Sequence, residues 1–224
     1  MRGIVTGASR GLGLALTRAL AERGWQLVVD ARDAKALERA VAGLDGVAGI
    51  PGDVADPDHR RRLIEGAGEP VDLLVNNASL LGPTPLPALA DYPLDELRRV
   101  YEVNVVAPLA LAQIALPRFS AGARIVNVIS DAAFEAYQAW GGYGSSKAAL
   151  AQITAILGAE NPDVRVYSVD PGDMRTQMQQ DAFPGEDISD RPPPEGSIPG
   201  LLGVIEGNLP SGSYRARDVV AVGA

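Results

Sequence analysis

The chain has 224 residues, 46% of them hydrophobic, which is enough for one substantial core and within the size that a single α/β unit fills. Its 20 basic and 28 acidic residues give a formal charge of −8 and a pI near 4.7, the wrong sign for a protein that works on phosphate backbones, so nucleic acid is not expected as a partner. With no cysteine and His59 as its only histidine, the chain lacks a disulfide framework and the Cys/His ligand sets of zinc and iron sites, and no metal is expected.

The first 21 residues hold Arg2, Arg10 and Arg18 and no acid before Glu22, as a targeting peptide would, but the glycine-rich run from Gly7 fits a folded domain better. From there short apolar runs alternate with helical patterns. "GIVT" is followed by "GLGLALTRALAERG", "QLVVD" by "DAKALERAVAGL", and "VAGIPG" by "PDHRRRLIEGA". Then come "VDLLVNN" with "LDELRRVYEVNVVAPLALAQIALP", "ARIVNVIS" with "YGSSKAALAQITAIL", and finally "VRVYSVD". Continuous apolar runs separated by helices predict strands buried on both faces of a parallel sheet. The expected fold is α/β, one doubly wound Rossmann domain over residues 1–224 with helices on both faces. In such sheets ligands collect at the carboxyl ends of the strands, so function is sought just after each strand.

The most apolar segment, 103–117, contains Asn104, Pro108 and Gln113 and falls short of the ~18 uninterrupted apolar residues of a membrane span. It reads as a buried helix, no membrane is expected as a partner, and a cytoplasmic location is expected. His59, in the charged "DPDHRRRL", reads as a solvated surface residue. Residues 173–206 read as an irregular substrate-loop region, and the proline-rich, acidic stretch at 183–200 within it as either a lid or a surface excursion.

After the first strand, "TGASRGLG" places Gly7, Gly11 and Gly13 at a helix start, with Ser9, Arg10 and Leu12 between them. Glycines let backbone approach a pyrophosphate, whose charge then rests on the free N–H groups and positive dipole of the helix N-terminus. The spacing is G-x-x-x-G-x-G rather than the commoner G-x-G-x-x-G, so the turn alone is weak evidence. "GGYGSSKAAL" at 141–150 sets Tyr143 one helical turn before Lys147.

With Asp53 in "GDVAD", "NNA" at 76–78, Asn104, Ser130 and "PGDMRT" at 171–176, these motifs resemble the short-chain dehydrogenases/reductases in their compact single-domain branch, over residues 3 to about 176. The resemblance implies an oxidoreductase moving hydride between a nicotinamide and a carbonyl or alcohol. Asp53 and Val54 would then lie at the adenine, and Asn77 and Ala78 beside its ribose. Pro171, Gly172, Met174 and Thr176 would surround the carboxamide. Asp53 could instead merely end a strand, and Asn77 could satisfy a turn. Ser79 stands where the family usually has glycine.

The position where NAD-dependent relatives carry an acid falls on Ala31. Arg32 follows it, and Arg10 lies in the glycine turn, a pair of guanidinium forks suited to a 2′-phosphate. NADP(H) is therefore preferred, with NAD(H) possible. Asp30 argues the other way, although alternate residues of a strand face opposite sides.

By resemblance, the catalytic set is Asn104, Ser130, Tyr143 and Lys147. Ser130 would orient the substrate oxygen, and Asn104 would hold a water feeding a relay to Lys147, which also binds the nicotinamide ribose. Tyr143 would act as general acid/base, its phenol made acidic by the neighbouring ammonium. Phe134, Tyr137, Trp140 and Met178, with Met174 and Phe183, suggest an apolar pocket for a hydrophobic ketone or aldehyde, with loop packing as the alternative, and Asp131 beside Ser130 could pick out a polar substrate instead. Two other functions compete: a regulator that senses NADP(H) without turnover, and an epimerase or dehydratase. The apolar helices near 94–117 and 142–158 suggest a homodimer or homotetramer.

Overall fold

The structure is a computed structural model that describes residues 1–220. Seven strands, β1 (Arg2–Val5), β2 (Gln26–Ala31), β3 (Val47–Pro51), β4 (Val71–Asn76), β5 (Phe119–Val128), β6 (Arg165–Asp170) and β7 (Gly212–Arg215), form one parallel sheet in the order β3-β2-β1-β4-β5-β6-β7. β1 is central to the first half of the sheet, with Ile4 registered between Val28 of β2 and Leu74 of β4. From β1 the chain runs out to β3 and then returns to β4 on the other side of β1. That reversal opens a crevice at the carboxyl ends of β1 and β4.

Successive residues of the inner strands point to opposite faces, and both faces are covered. Val29, Val75, Val126 and Tyr167 pack in one apolar cluster with α1 (Gly11–Ala21), Leu37 of α2 (Ala34–Val41) and α8 (Ile198–Glu206). Ile4, Val28, Leu74, Ile125 and Val166 pack in the other with Leu63 and Ile64 of α3 (Pro57–Ala67), Leu111 of α5 (Ala107–Ala115) and Leu157 of α6 (Gly141–Glu160). Two-sided burial is why these strands read as unbroken apolar runs instead of alternating ones.

Three expectations need correction. His59 is not on the surface: it is 0% exposed on the inner face of α3, its ring hydrogen-bonded to Asp30 of β2. Residues 173–206 are not irregular throughout. They include α7 (Gln177–Ala182) and the core helix α8, whose Leu201 and Val204 are fully buried, so the irregular part ends before Ile198. The apolar helix near 94–117 is not one regular helix. It runs as α4 (Leu94–Tyr101), a π-helical turn at Glu102–Val106, α5, and a 3₁₀ turn ending at Arg118. By length and composition alone this 25-residue stretch could cross a membrane. Here Val100, Asn104, Leu111 and Ala115 are buried in the domain.

Candidate active site

The carboxyl ends of β1 through β6 open onto one groove of about 1240 Å³. Its first half is built largely from backbone. Gly7 and Gly11 have φ of +71° and +57°, which L side chains adopt only at a cost. A Cβ at Gly13 would lie 2.4 Å from the Gly7 carbonyl oxygen and 2.5 Å from Asn77 Nδ2, so α1 can approach the turn this closely only through glycine. Asn77 locks the arrangement by donating from Nδ2 to the carbonyls of Thr6 (2.8 Å) and Gly7 (3.1 Å). The backbone N–H groups of Asn77 and Ala78 both donate to Thr6 Oγ1 at 3.0 Å. The first turn of α1 has neither a side-chain cap nor an acidic residue, so its amides stay open toward the groove.

Arg10 and Arg32 are exposed at this end and line the groove, and their side chains make no hydrogen bond or ion pair among the described residues. Asp33, the residue that could have neutralised Arg32, instead caps α2 by accepting from Ala36 N. Asp53 lines the groove beside Val54 and accepts from Ala55 N at 2.9 Å. Asp30 is 1% exposed and turned inward, taking up Gly7 N and His59.

The second half is built from side chains. Tyr143 and Lys147, one turn apart on α6, are 8% and 1% exposed, with Lys147 Nζ 5.5 Å from the centre of the phenol ring. The start of α6 lies so close to the turn after β5 that a Cβ on Gly144 would meet the Ala132 carbonyl oxygen at 2.6 Å, whereas one on Gly142, before the tyrosine, would run into the Tyr92 ring. Lys147 Nζ donates to the Val128 carbonyl at 2.8 Å. Burial lowers its pKa to about 7. Burial also pushes the Tyr143 phenol well above its ordinary range; the Ser79 hydroxyl draws it back, and the Asp170 and Asp131 carboxylates push it up further. The side chains by themselves therefore favour the neutral form of both groups, and an acidic phenol requires additional positive charge close to it.

Ser130 follows β5 and lines the groove. Its hydroxyl donates to Asp131 Oδ1 at 2.9 Å, and Tyr137 donates to Asp131 Oδ2 at the same distance. Asn104 lies just behind the groove, 0% exposed, inside the π-helical turn. Its amide is fully used: Oδ1 accepts from Leu80 N and the Ser79 hydroxyl, while Nδ2 donates to the Leu80 carbonyl and Ser146 Oγ. Any water that it held would have to be met by its backbone, since no side-chain valence is left.

The profile of the family described as short chain dehydrogenase matches residues 3–187. The chain belongs to the short-chain dehydrogenase family. It is 34% identical over 189 residues to the 1-deoxy-11-beta-hydroxypentalenate dehydrogenase of Streptomyces exfoliatus, covering 79% of this chain and 68% of that protein. It is 33% identical over 190 residues to the benzil reductase ((S)-benzoin forming) of Bacillus subtilis, covering 79% and 75%. Among solved structures it is similar to the KRED1-Pglu enzyme, with a TM-score of 0.86 and 32% identity over 95% of this chain and 98% of that one. It shares its fold with a short-chain dehydrogenase from Shigella flexneri 2a solved with NADP, at a TM-score of 0.88 and 24% identity over 96% of each chain. The chain is thus a short-chain dehydrogenase/reductase, an oxidoreductase of seven-stranded Rossmann fold.

Within this short-chain dehydrogenase, every residue expected at the cofactor lines the groove: Gly7, Ser9, Arg10, Gly11, Leu12 and Gly13 at the first turn, Arg32, Asp53 and Val54, Asn77 and Ala78, Tyr143 and Lys147, and Pro171, Gly172, Met174 and Thr176 after β6. Tyr137, Trp140 and Met178 also line it. Phe134 does not: it is 63% exposed and stands outside the groove lining. Sequence reasoning missed two contributors: Ser79 touches both Tyr143 and Asn104, and His59 backs Asp30. Asp131 accepts from the Ser130 hydroxyl, and the Phe183 ring packs 5.9 Å from that of Trp140. Ser79 could have been found as the departure from glycine in "NNAS", and His59 by its i+4 spacing to the apolar Leu63.

Proposed function

We propose that this short-chain dehydrogenase is an NADP(H)-preferring carbonyl reductase or alcohol dehydrogenase acting on a hydrophobic ketone or aldehyde. The observation that carries the reading is a single groove that joins an open, glycine-lined helix start at one end to the buried Tyr143/Lys147 pair at the other. A dinucleotide fits that shape. A methyl group on Gly13 would close the cradle, and the two unpaired guanidinium groups stand where a 2′-phosphate would sit. The benzil reductase among the relatives supports an apolar carbonyl substrate.

When bound, the nicotinamide gives or takes the hydride. Tyr143 supplies the matching proton at its phenol oxygen, and Ser130 orients the substrate oxygen once its hydroxyl turns from Asp131. Lys147 holds the nicotinamide ribose. Its pKa of about 7 lets it carry charge or release a proton near neutrality, which suits a residue that passes protons on from the phenol. Trp140, Tyr137, Met178 and Phe183 exclude water from the substrate end. The partly exposed Leu94, Val106 and Ile156 support burial of the α4 to α6 surface against a second subunit in a homodimer or homotetramer, and a monomer by light scattering would contradict this.

The test is a panel of ketones and aldehydes with NADPH and NADH side by side. NADPH oxidation on apolar carbonyls is expected, and Arg32→Ala is expected to weaken NADPH by about tenfold while leaving NADH within about twofold. A protein that binds NADPH but reduces no member of the panel would favour the sensing reading.

A further inference from the structure

A carboxylate at the end of β2 is the feature expected of an NAD-selecting site, yet the chain places Asp30 there in the lining of a groove that otherwise suits a phosphate. The structure shows what that carboxylate does instead. Asp30 Oδ1 accepts the Gly7 N–H at 2.7 Å, and Oδ2 meets His59 Nε2 at 2.8 Å. The Asp30 carbonyl accepts Ala8 N at 2.8 Å. The Asp30 and His59 side chains are 2% and 0% exposed.

Among the described residues the His59 ring has no other polar contact. Its Nδ1 is buried without a hydrogen-bond partner among the described residues, and the ring lies so close to Gly52 that a Cβ there would fall 2.2 Å from Nδ1. Leaving a ring nitrogen unpaired in the interior costs free energy, so the ring is held for the sake of its single bond to Asp30. The next residue, Arg60, donates to the carbonyls of Val54 (2.7 Å) and Ala55 (3.2 Å). Two consecutive residues of α3 thus reach the two loops on either side of the adenosine end.

We infer that His59 is a positioning residue that determines nucleotide choice: by binding Asp30 Oδ2 it holds the carboxylate under the glycine turn, turned away from a ribose 2′-hydroxyl, and so leaves Arg10 and Arg32 to meet a 2′-phosphate. The inference deepens the proposed NADP(H) preference and rests on it.

The experiment is a fluorescence titration of NADPH and NADH onto wild type, His59→Leu, His59→Gln, Asp30→Asn and the double variant His59→Leu/Asp30→Asn, each checked for folding by its thermal melt. Freed of its inward partner, the Asp30 carboxylate in His59→Leu gains a bond to the ribose and repels a 2′-phosphate, lowering the NADPH-over-NADH preference by about tenfold. Removing the charge in the double variant restores the preference, and His59→Gln, which keeps an N–H donor, preserves it.

Equal weakening of both nucleotides in His59→Leu, or no recovery in the double variant, would show a purely structural role and overturn the inference. Should His59→Leu fail to fold, Asp30→Asn decides. With both oxygens already engaged inward, its preference is expected within about twofold of wild type, whereas a tenfold rise toward NADPH would mean that Asp30 already faces the ribose. Wild type that binds neither nucleotide would sink the proposed function itself, a result distinct from a preference that fails to move.

Discussion

The two ends of the groove achieve closeness to a ligand by opposite means. At the glycine-lined end the surface is largely main chain, made accessible by the glycines, and the carboxylate at the end of β2 is engaged from within by an amide and an imidazole. At the reacting end the surface is side chain, and burial drives Tyr143 and Lys147 away from their charged forms. On the proposed function, the first end would bind charge because its donors are fixed before the ligand arrives. The second responds to charge because its groups have been left short of it. A shared scaffold can therefore hold the nucleotide through geometry and run proton transfer through electrostatics, with little interference between the two.

This contrast can be broken most sharply at the phenol. Tyr143→Phe is expected to lower kcat by about 10²–10⁴-fold while NADPH affinity, measured by fluorescence titration, stays within about twofold. A comparable loss of affinity would mean that the reacting end also carries the binding.

The complementary change is Gly13→Ala. Its new methyl meets backbone on one side and the Asn77 amide on the other, neither of which can move cheaply. The expected loss is about 2–3 kcal/mol in denaturant unfolding, together with nucleotide binding. Gly196→Ala, with its nearest atom 3.9 Å away, is the control and is expected within about 0.5 kcal/mol of wild type.

The smallest effect sharpens the electrostatic side. Lys147 is lowered from 10.5 to about 7 in the folded protein, so between those values the unfolded chain binds a proton that the native state does not. Stability therefore rises with pH through this window and is lost as pH falls toward 7. Relative to Lys147→Met, wild type is expected to gain up to about 1.4 kcal/mol per pH unit between about pH 7.5 and 9.5 in urea unfolding. Parallel stability curves for the two proteins would show that Lys147 keeps its charge when buried.

Much of this was readable from the chain. Strands covered on both faces announce themselves as runs such as "DLLVN", and the glycine turn sits next to the strand that feeds it. What escaped was long-range or directional. His59 is flanked by Asp58, Arg60, Arg61 and Arg62, and that charge masked the stripe in which His59 and Arg60 precede Leu63 and Ile64 on the buried face. Phe134 is near Ser130 in sequence but faces solvent, because proximity along a chain says nothing about the direction of a side chain. The prolines of 183–200 hid the start of α8, whose "LLGVI" is as apolar as any strand. The link from Ser79 to Tyr143 and Asn104 joins three separate segments, which no local pattern could have brought together.

The π-helical turn at Glu102–Val106 has one further consequence. Such a turn takes up an extra residue and leaves the helix faces before and after it in place. A chain shortened by one residue there would still find its way to this architecture, with Val100 and Leu111 seated as before. It would nonetheless move the buried Asn104 off its present bonds to Leu80 and Ser146, so the turn marks a point where the fold and the placement of Asn104 can be separated by a single codon.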